Sequence, residues 1–212
     1  MSIVQHSRGS SQDVLKRVTA ALHDKDVSLA TRLASQAIDD GLEHPLFLNL
    51  RAFRLENEGC DTEALSDLRR AARLAPHDPI ILNALGLAYA RCGYHDEAVE
   101  AFEAAVTEQP DFSQAHFNNG WSLEEIGDLA GAKECYLRAH RNQPNAAEPL
   151  GRLAGLAARR GAWAEVFSYA ELALARDPHN ASAVMALGQL EIENGAFGKA
   201  EKRLRTFLGR PT

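Results

Sequence analysis

The chain has 212 residues, 45% of them hydrophobic and 25% charged, with a formal net charge of −6. That balance is too apolar for a disordered chain and lacks the basic stripe that a nucleic-acid surface needs. The three cysteines, Cys60, Cys92 and Cys135, are odd in number and far apart, which excludes a disulfide framework and fits a reducing, cytoplasmic setting.

The opening MSIVQHSRGSS has no apolar run before a small-residue cleavage site, so it does not read as a secretory signal. No run of about eighteen apolar residues follows anywhere, so no membrane span is expected. Residues 1–10 read as a flexible lead-in, and residues 11–212 as a single array with a period of 34 residues. The repeats run 11–44, 45–78, 79–112, 113–146, 147–180 and 181–212, without insertion or deletion.

Each repeat reads as two helices and a turn. The first has Ala30 and Ala37 in place, but Lys25 where later repeats have glycine and Leu42 where they have proline, so it reads as an atypical terminal repeat. The third, PIILNALGLAYARCGYHDEAVEAFEAAVTEQP, shows the pattern most clearly. Apolar residues recur at spacings of three and four, as in Leu82, Leu85, Ala88 and Tyr89. Counting Pro79 as column one, glycine fills column fifteen at Gly59, Gly93, Gly127, Gly161 and Gly195. It suits an open backbone where the first helix ends. Column twenty reads Ala30, Ala64, Ala98, Ala132, Val166, Ala200, and column twenty-seven reads Ala37, Ala71, Ala105, Ala139, Ala173, Phe207. Small residues there let helices approach closely. Pro76, Pro110, Pro144 and Pro178 in column thirty-two stop the second helix. One such hairpin cannot bury its apolar face alone, so the repeats must stack.

Leu85-Gly86, Tyr89, Gly93, Ala98, Phe102, Ala105 and Pro110 carry a resemblance to the tetratricopeptide repeat (TPR), and Gly120, Leu123, Gly127, Ala132, Tyr136, Ala139 and Pro144 restate it. The resemblance implies an all-α, right-handed superhelical solenoid of helix–turn–helix repeats. It also implies a concave groove, lined by the first helices, that receives an extended peptide or a partner helix.

No catalytic constellation is present. The eight histidines do not pair at metal spacing, and no HExxH occurs. His77 and His179 fall in turns between repeats, and His116 reads as a hydrogen-bonded core histidine. Cys92 and Cys135 read as small buried hydrophobes. GRLAGLAARRG has glycines at helical spacing with no strand before it, so it is not a phosphate loop. Gly151 and Gly155 within it serve either tight helix packing or close approach of a ligand backbone. Glu124 and Glu125, neighbours on a helix, point about 100° apart, so they read as a solvated face and not as a catalytic pair. No metal and no cofactor is expected.

In the family, columns two, five, six, nine, twelve and thirteen face the groove, and their spacing makes them one helical face. Repeats two to five place there Asn49, Phe53 and Asn57; Asn83, Leu87 and Arg91; Gln114, Phe117, Asn118, Trp121, Glu124 and Glu125; and Glu148, Arg152 and Arg159. Amides, aromatics and arginines together compose a recognition surface. Asn49, Asn83 and Asn118 read either as a ladder that bonds the N–H and C=O of an extended peptide, or as amides tolerated on a helix surface. Phe53, Phe117 and Trp121 would supply side-chain pockets, with packing against the next repeat as the other reading of Trp121. The family's acidic-peptide clamp does not fit, because its lysines are missing and Glu148 stands where a cation is needed.

The last helix carries Phe197, Ala200, Leu204, Phe207 and Leu208, with nothing after Thr212 to cover them. Three readings stay open: self-association through Phe197, Leu204, Phe207 and Leu208, a natural protein that continues, or a helix packed back on itself. The chain thus reads as a non-enzymatic scaffold or adaptor binding a protein or peptide segment. The rival is a substrate-recruiting region of a larger sulfotransferase-like or hydroxylase-like bacterial enzyme. Arg outnumbers Lys by 18 to 5, which suits a GC-rich bacterial genome.

Overall fold

The computed structural model describes the backbone of residues 4–209 and the side-chain surroundings of residues 11–209. Among the described residues there are twelve α-helices and no strand. Two compact units result, the first ending at Gln109 and the second beginning at Pro110. The first holds α1 (Val4–His23), α2 (Val27–Asp39), α3 (Pro45–Asn57), α4 (Asp61–Leu74), α5 (Pro79–Arg91) and α6 (His95–Glu108). The second holds α7 (Ser113–Glu125), α8 (Leu129–Asn142), α9 (Glu148–Arg159), α10 (Trp163–Arg176), α11 (Ala181–Glu193) and α12 (Phe197–Phe207). Each odd-numbered helix pairs with the even-numbered one after it, as the period requires. The first helix begins at Val4, ahead of the register's Ser11.

The helix ends follow from the chain's punctuation. Pro45 and Pro79 open α3 and α5 at the first turn, where a missing N–H costs nothing. Asp78 caps α5 by accepting from Ile80 N at 2.9 Å and Ile81 N at 3.3 Å. Column fifteen closes each first helix in the left-handed region, for instance at Gly93 with φ of 80°. Lys25 adopts the same conformation at φ of 60° and is the one non-glycine residue with positive φ among those described. A side chain there costs about 1–2 kcal/mol. Lys25→Gly is therefore expected to stabilise the chain by about 1 kcal/mol, after the added freedom of the unfolded glycine is subtracted. A guanidinium midpoint that stays put or falls would contradict this.

The alanine columns form the spine of each unit. Ala30, Ala64, Ala98, Ala132 and Val166 are fully buried, as are Ala71, Ala105, Ala139 and Ala173. In the first unit Val18, Ala21, Ala30, Ala34, Ala37, Phe47 and Leu50 make one core across α1, α2 and α3. A second joins α3, α4 and α5 through Ala52, Leu65, Leu68 and Ala88. Ala71 touches Leu48 and Ile81 in a third. Gly86 and Gly120 let an aromatic ring of the next helix lie flat against the first. A Cβ on Gly86 would sit 2.6 Å from the Phe102 ring, and one on Gly120 2.7 Å from the Tyr136 ring.

One core position of the first unit carries a carboxylate. Asp67 on α4 is buried, and Arg51 on α3 grips it with two bonds of 2.6 Å, from Nε and Nη2. Arg70 Nη1 adds a contact at 3.3 Å and also reaches Glu43. This bidentate pair occupies columns seven and twenty-three, where the third repeat has Leu85 and Ala101.

Candidate functional site

The first helices of the repeats carry the residues picked out above, and the two compact units present them separately. In the first unit α3 and α5 lie side by side. Phe53 on α3 is 49% exposed, a large apolar side chain held out to solvent. Asn49 and Leu87 are half-buried, and Asn83 is buried. Asn57 turns back on its own helix, with Nδ2 donating to the Phe53 carbonyl at 2.9 Å. Arg91 ties α5 to the start of α4 through Asp61 Oδ1 at 2.9 Å, and its Nη2 donates to the Glu56 carbonyl at 3.3 Å. Burial pushes the Glu56 carboxyl above its ordinary range, and the nearby Arg91 charge opposes that shift.

In the second unit α7 is unusually polar on its inner side. Asn118, Asn119 and Ser122 are buried there beside His116. His116 Nε2 lies 2.9 Å from the Pro110 carbonyl, which makes it the hydrogen-bonded core histidine expected from its column. Gln114 Nε2 donates to Asn118 Oδ1 at 3.0 Å, so a peptide bonding Asn118 would have to share or displace that amide. Phe117 stacks at 5.6 Å on Tyr136, and Trp121 is half-buried, as its amphipathic ring suggests.

Glu124 corrects the expectation of a solvated acidic face. Its side chain is 17% exposed and accepts from Tyr136 Oη at 2.9 Å. Arg159 approaches it at 3.3 Å and Arg152 at 3.8 Å, both from α9. Glu125, one residue on, is exposed as expected, and so is Glu148. Burial first, and then the Glu124 charge, push the Tyr136 phenol far above its ordinary value, so it stays a donor to Glu124 at any physiological pH. Two guanidinium groups thus share the one Glu124 carboxylate.

Beside this cluster a cleft of about 430 Å³ runs between α9 and α11. Gly155, Ala158, Ala186 and Gly188 line it with almost no side chain. Met185, 61% exposed, and Ile192, 47% exposed, form its apolar lip. Arg152, Glu124, Ser182 and Gln189 supply the polar edge. The two glycines read above as alternatives divide here. Gly151 packs against Asn180, whose Oδ1 leaves no room for a Cβ, whereas nothing lies within 4 Å of a Cβ placed on Gly155.

Column reading confined to repeats two to five missed much of this cleft. The same columns in the sixth repeat are Ser182, Met185, Ala186, Gln189, Ile192 and Glu193, and the first five of these line it. In the fifth repeat they include Gly155 and Ala158, whose small side chains hid their importance.

The cysteines are half-buried and not fully enclosed. Cys92 packs on the α3–α5 core, and burial pushes its thiol up, away from nucleophilic use. Among the described residues no group of His, Cys, Asp and Glu could hold a metal ion, and no helix is long and apolar enough to cross a membrane.

The tetratricopeptide repeat family profile matches residues 62–112. The fold is similar to that of pilF from Pseudomonas aeruginosa, with a TM-score of 0.76 at 18% identity, covering 93% of this chain and 90% of that one. It is similar to a MamA fragment from Desulfovibrio magneticus RS-1, with a TM-score of 0.68 at 20% identity over 78% of this chain and 93% of that one. A third likeness is YrrB, described as a TPR protein with an unusual peptide-binding site (TM-score 0.65, 20% identity, 83% and 91% coverage).

Proposed function

We propose that this chain of tetratricopeptide repeats is a non-enzymatic interaction module, a scaffold or adaptor, whose second unit captures a partner's peptide segment in the cleft between α9 and α11. The observation that carries this reading is the cleft's floor. Helix interiors disfavour glycine by about 1 kcal/mol relative to alanine, yet Gly155 and Gly188 both stand where a side chain would have open space. Packing does not need them small. A ligand side chain does.

The physical mechanism is preorganisation. Helix packing fixes α9 and α11, so the ordering cost of binding falls on the flexible partner. An aliphatic or aromatic side chain enters between Met185 and Ile192, with the thioether adapting to its shape. Gln189 and Ser182 lie along the edge where the peptide's backbone amides pass. The positive cluster of Arg152 and Arg159 around Glu124 favours a segment with an acidic residue beside that anchor. In the first unit, Phe53 and Asn49 offer a second, shallower contact surface for the same kind of segment. YrrB's described peptide-binding site supports the reading by likeness of fold.

The test is selection of a random dodecapeptide library, displayed on phage, against the full chain, followed by calorimetry on the enriched peptide. We expect enrichment of sequences pairing an acidic residue with a bulky apolar one, and binding that weakens about tenfold in Arg152→Ala. No enriched motif, or a motif that binds Arg152→Ala equally and is indifferent to changes of Met185, would overturn the reading.

A further inference from the structure

The outer face of α12 is apolar and open. Phe197 is 66% exposed and Leu208 59%, and with Ile192, Ala200 and Leu204 they line a shallow groove of about 400 Å³. In the first unit the corresponding face of α4 is covered: Leu65, Leu68 and Ala71 are buried against α5.

Column twenty-seven departs from the other repeats at this end. Five repeats place a buried alanine there, and Ala71 shares a core with Ile81 of the helix that follows. The sixth repeat has Phe207 instead, half-buried and turned into the cavity that Leu174 and Val184 also line.

Charge tells what does fit. Glu201 and Arg205 flank the apolar line, one helical turn apart and on the same groove. They pair with each other at 2.8 Å, with both side chains half or more exposed. The remaining cations of α12, Lys199, Lys202 and Arg203, line the separate cavity beside Leu174, and Arg203 is held there by Glu191. The open strip therefore carries one positive and one negative charge and no net charge. A strongly acidic or basic partner gains nothing from it. A second copy does. Turned about a two-fold axis so that the two α12 helices run antiparallel, Glu201 of each copy meets Arg205 of the other, and Phe197 lies against Leu208. That is the self-complementarity that a closed two-fold interface requires.

We propose that α12 is an isologous self-association surface, on which a second copy of this chain packs its own α12 antiparallel, with Phe197, Leu204 and Leu208 buried and the Glu201 and Arg205 charges paired crosswise. Leu204 and Ile192 also border the cleft between α9 and α11, so each dimer would carry two clefts next to its axis.

Sedimentation velocity of the full chain, from micromolar to hundreds of micromolar, tests this. The wild type is expected to move to a dimer as concentration rises. Glu201→Arg and Arg205→Glu, each alone, place like charges together across the axis and are expected to weaken dimerisation at least tenfold. The double exchange E201R/R205E is expected to bring the dimer back. These side chains are exposed, so helical circular dichroism should be unchanged in all three variants. A monomer at every concentration, a dimer indifferent to the single reversals, a double exchange that stays monomeric, or growth beyond two copies would each overturn the proposal.

Discussion

Asp67→Ala is expected to cost about 3–5 kcal/mol of stability. Asp67 is 3% exposed, and the Arg51 guanidinium that grips it is mostly buried too. Removing the carboxylate leaves Arg51 and Arg70, both drawn towards it, as like charges with one partner gone. The helix itself loses nothing by an alanine on α4, so the effect comes from the mostly buried Arg51 guanidinium, left with only the distant, exposed Asp39. Thermal melting should fall by about 6–20 °C, at roughly 2–4 °C per kcal/mol for a chain of this size.

The third repeat supplies the control for that prediction. Its columns seven and twenty-three hold Leu85 and Ala101, an apolar pair in the same geometry. The double variant Arg51→Leu/Asp67→Ala should therefore recover most of the loss, because a buried ion pair replaced by apolar residues of suitable shape is often neutral or stabilising. Melting of the single and double variants side by side separates the two readings. Equal losses would mean that the pair contributes net stability and is not a substitute for apolar contact.

Arg51 and Asp67 also show where a single sequence misleads. Each has the look of a surface charge, and only the other repeats, with Leu85, Leu153 and Leu187 in column seven, mark that column as inward. Glu124 was misread for the same reason: an acidic residue beside Glu125 suggests a solvated face, and only the packing of α7 on α8 and α9 brings Tyr136, Arg152 and Arg159 to it. Features dictated by local backbone chemistry were legible. Gly93 and its equivalents take positive φ where the chain must turn, and the alanine columns are buried wherever helices meet. The half-exposure of Trp121 and the bonded His116 followed from the chemistry of their rings. Gly151 and Gly155 were not separable in sequence, since both fit helical spacing. Asn180 packs on the first, whereas nothing lies within 4 Å of a Cβ on the second.

That open space leads to the sharpest functional expectation. Gly155→Trp should leave the fold intact or slightly firmer, since a non-glycine residue in mid-helix gains about 0.5–1 kcal/mol. The side chain can start without a clash, because a Cβ at Gly155 meets nothing within 4 Å. On the cleft's floor it would compete with Met185 and Ile192 for the seat proposed for the ligand side chain. Losing one buried anchor of that size commonly costs 2 kcal/mol or more of binding, so the enriched peptide is expected to bind at least about thirtyfold more weakly. Gly155→Ala, which adds only a methyl group, should keep most of the affinity and share the gain in helix stability. Calorimetry on the three forms, beside their melting curves, reads both effects at once. Full-strength binding by the tryptophan form, with its melting preserved, would move the ligand off α9 and onto another surface of the chain.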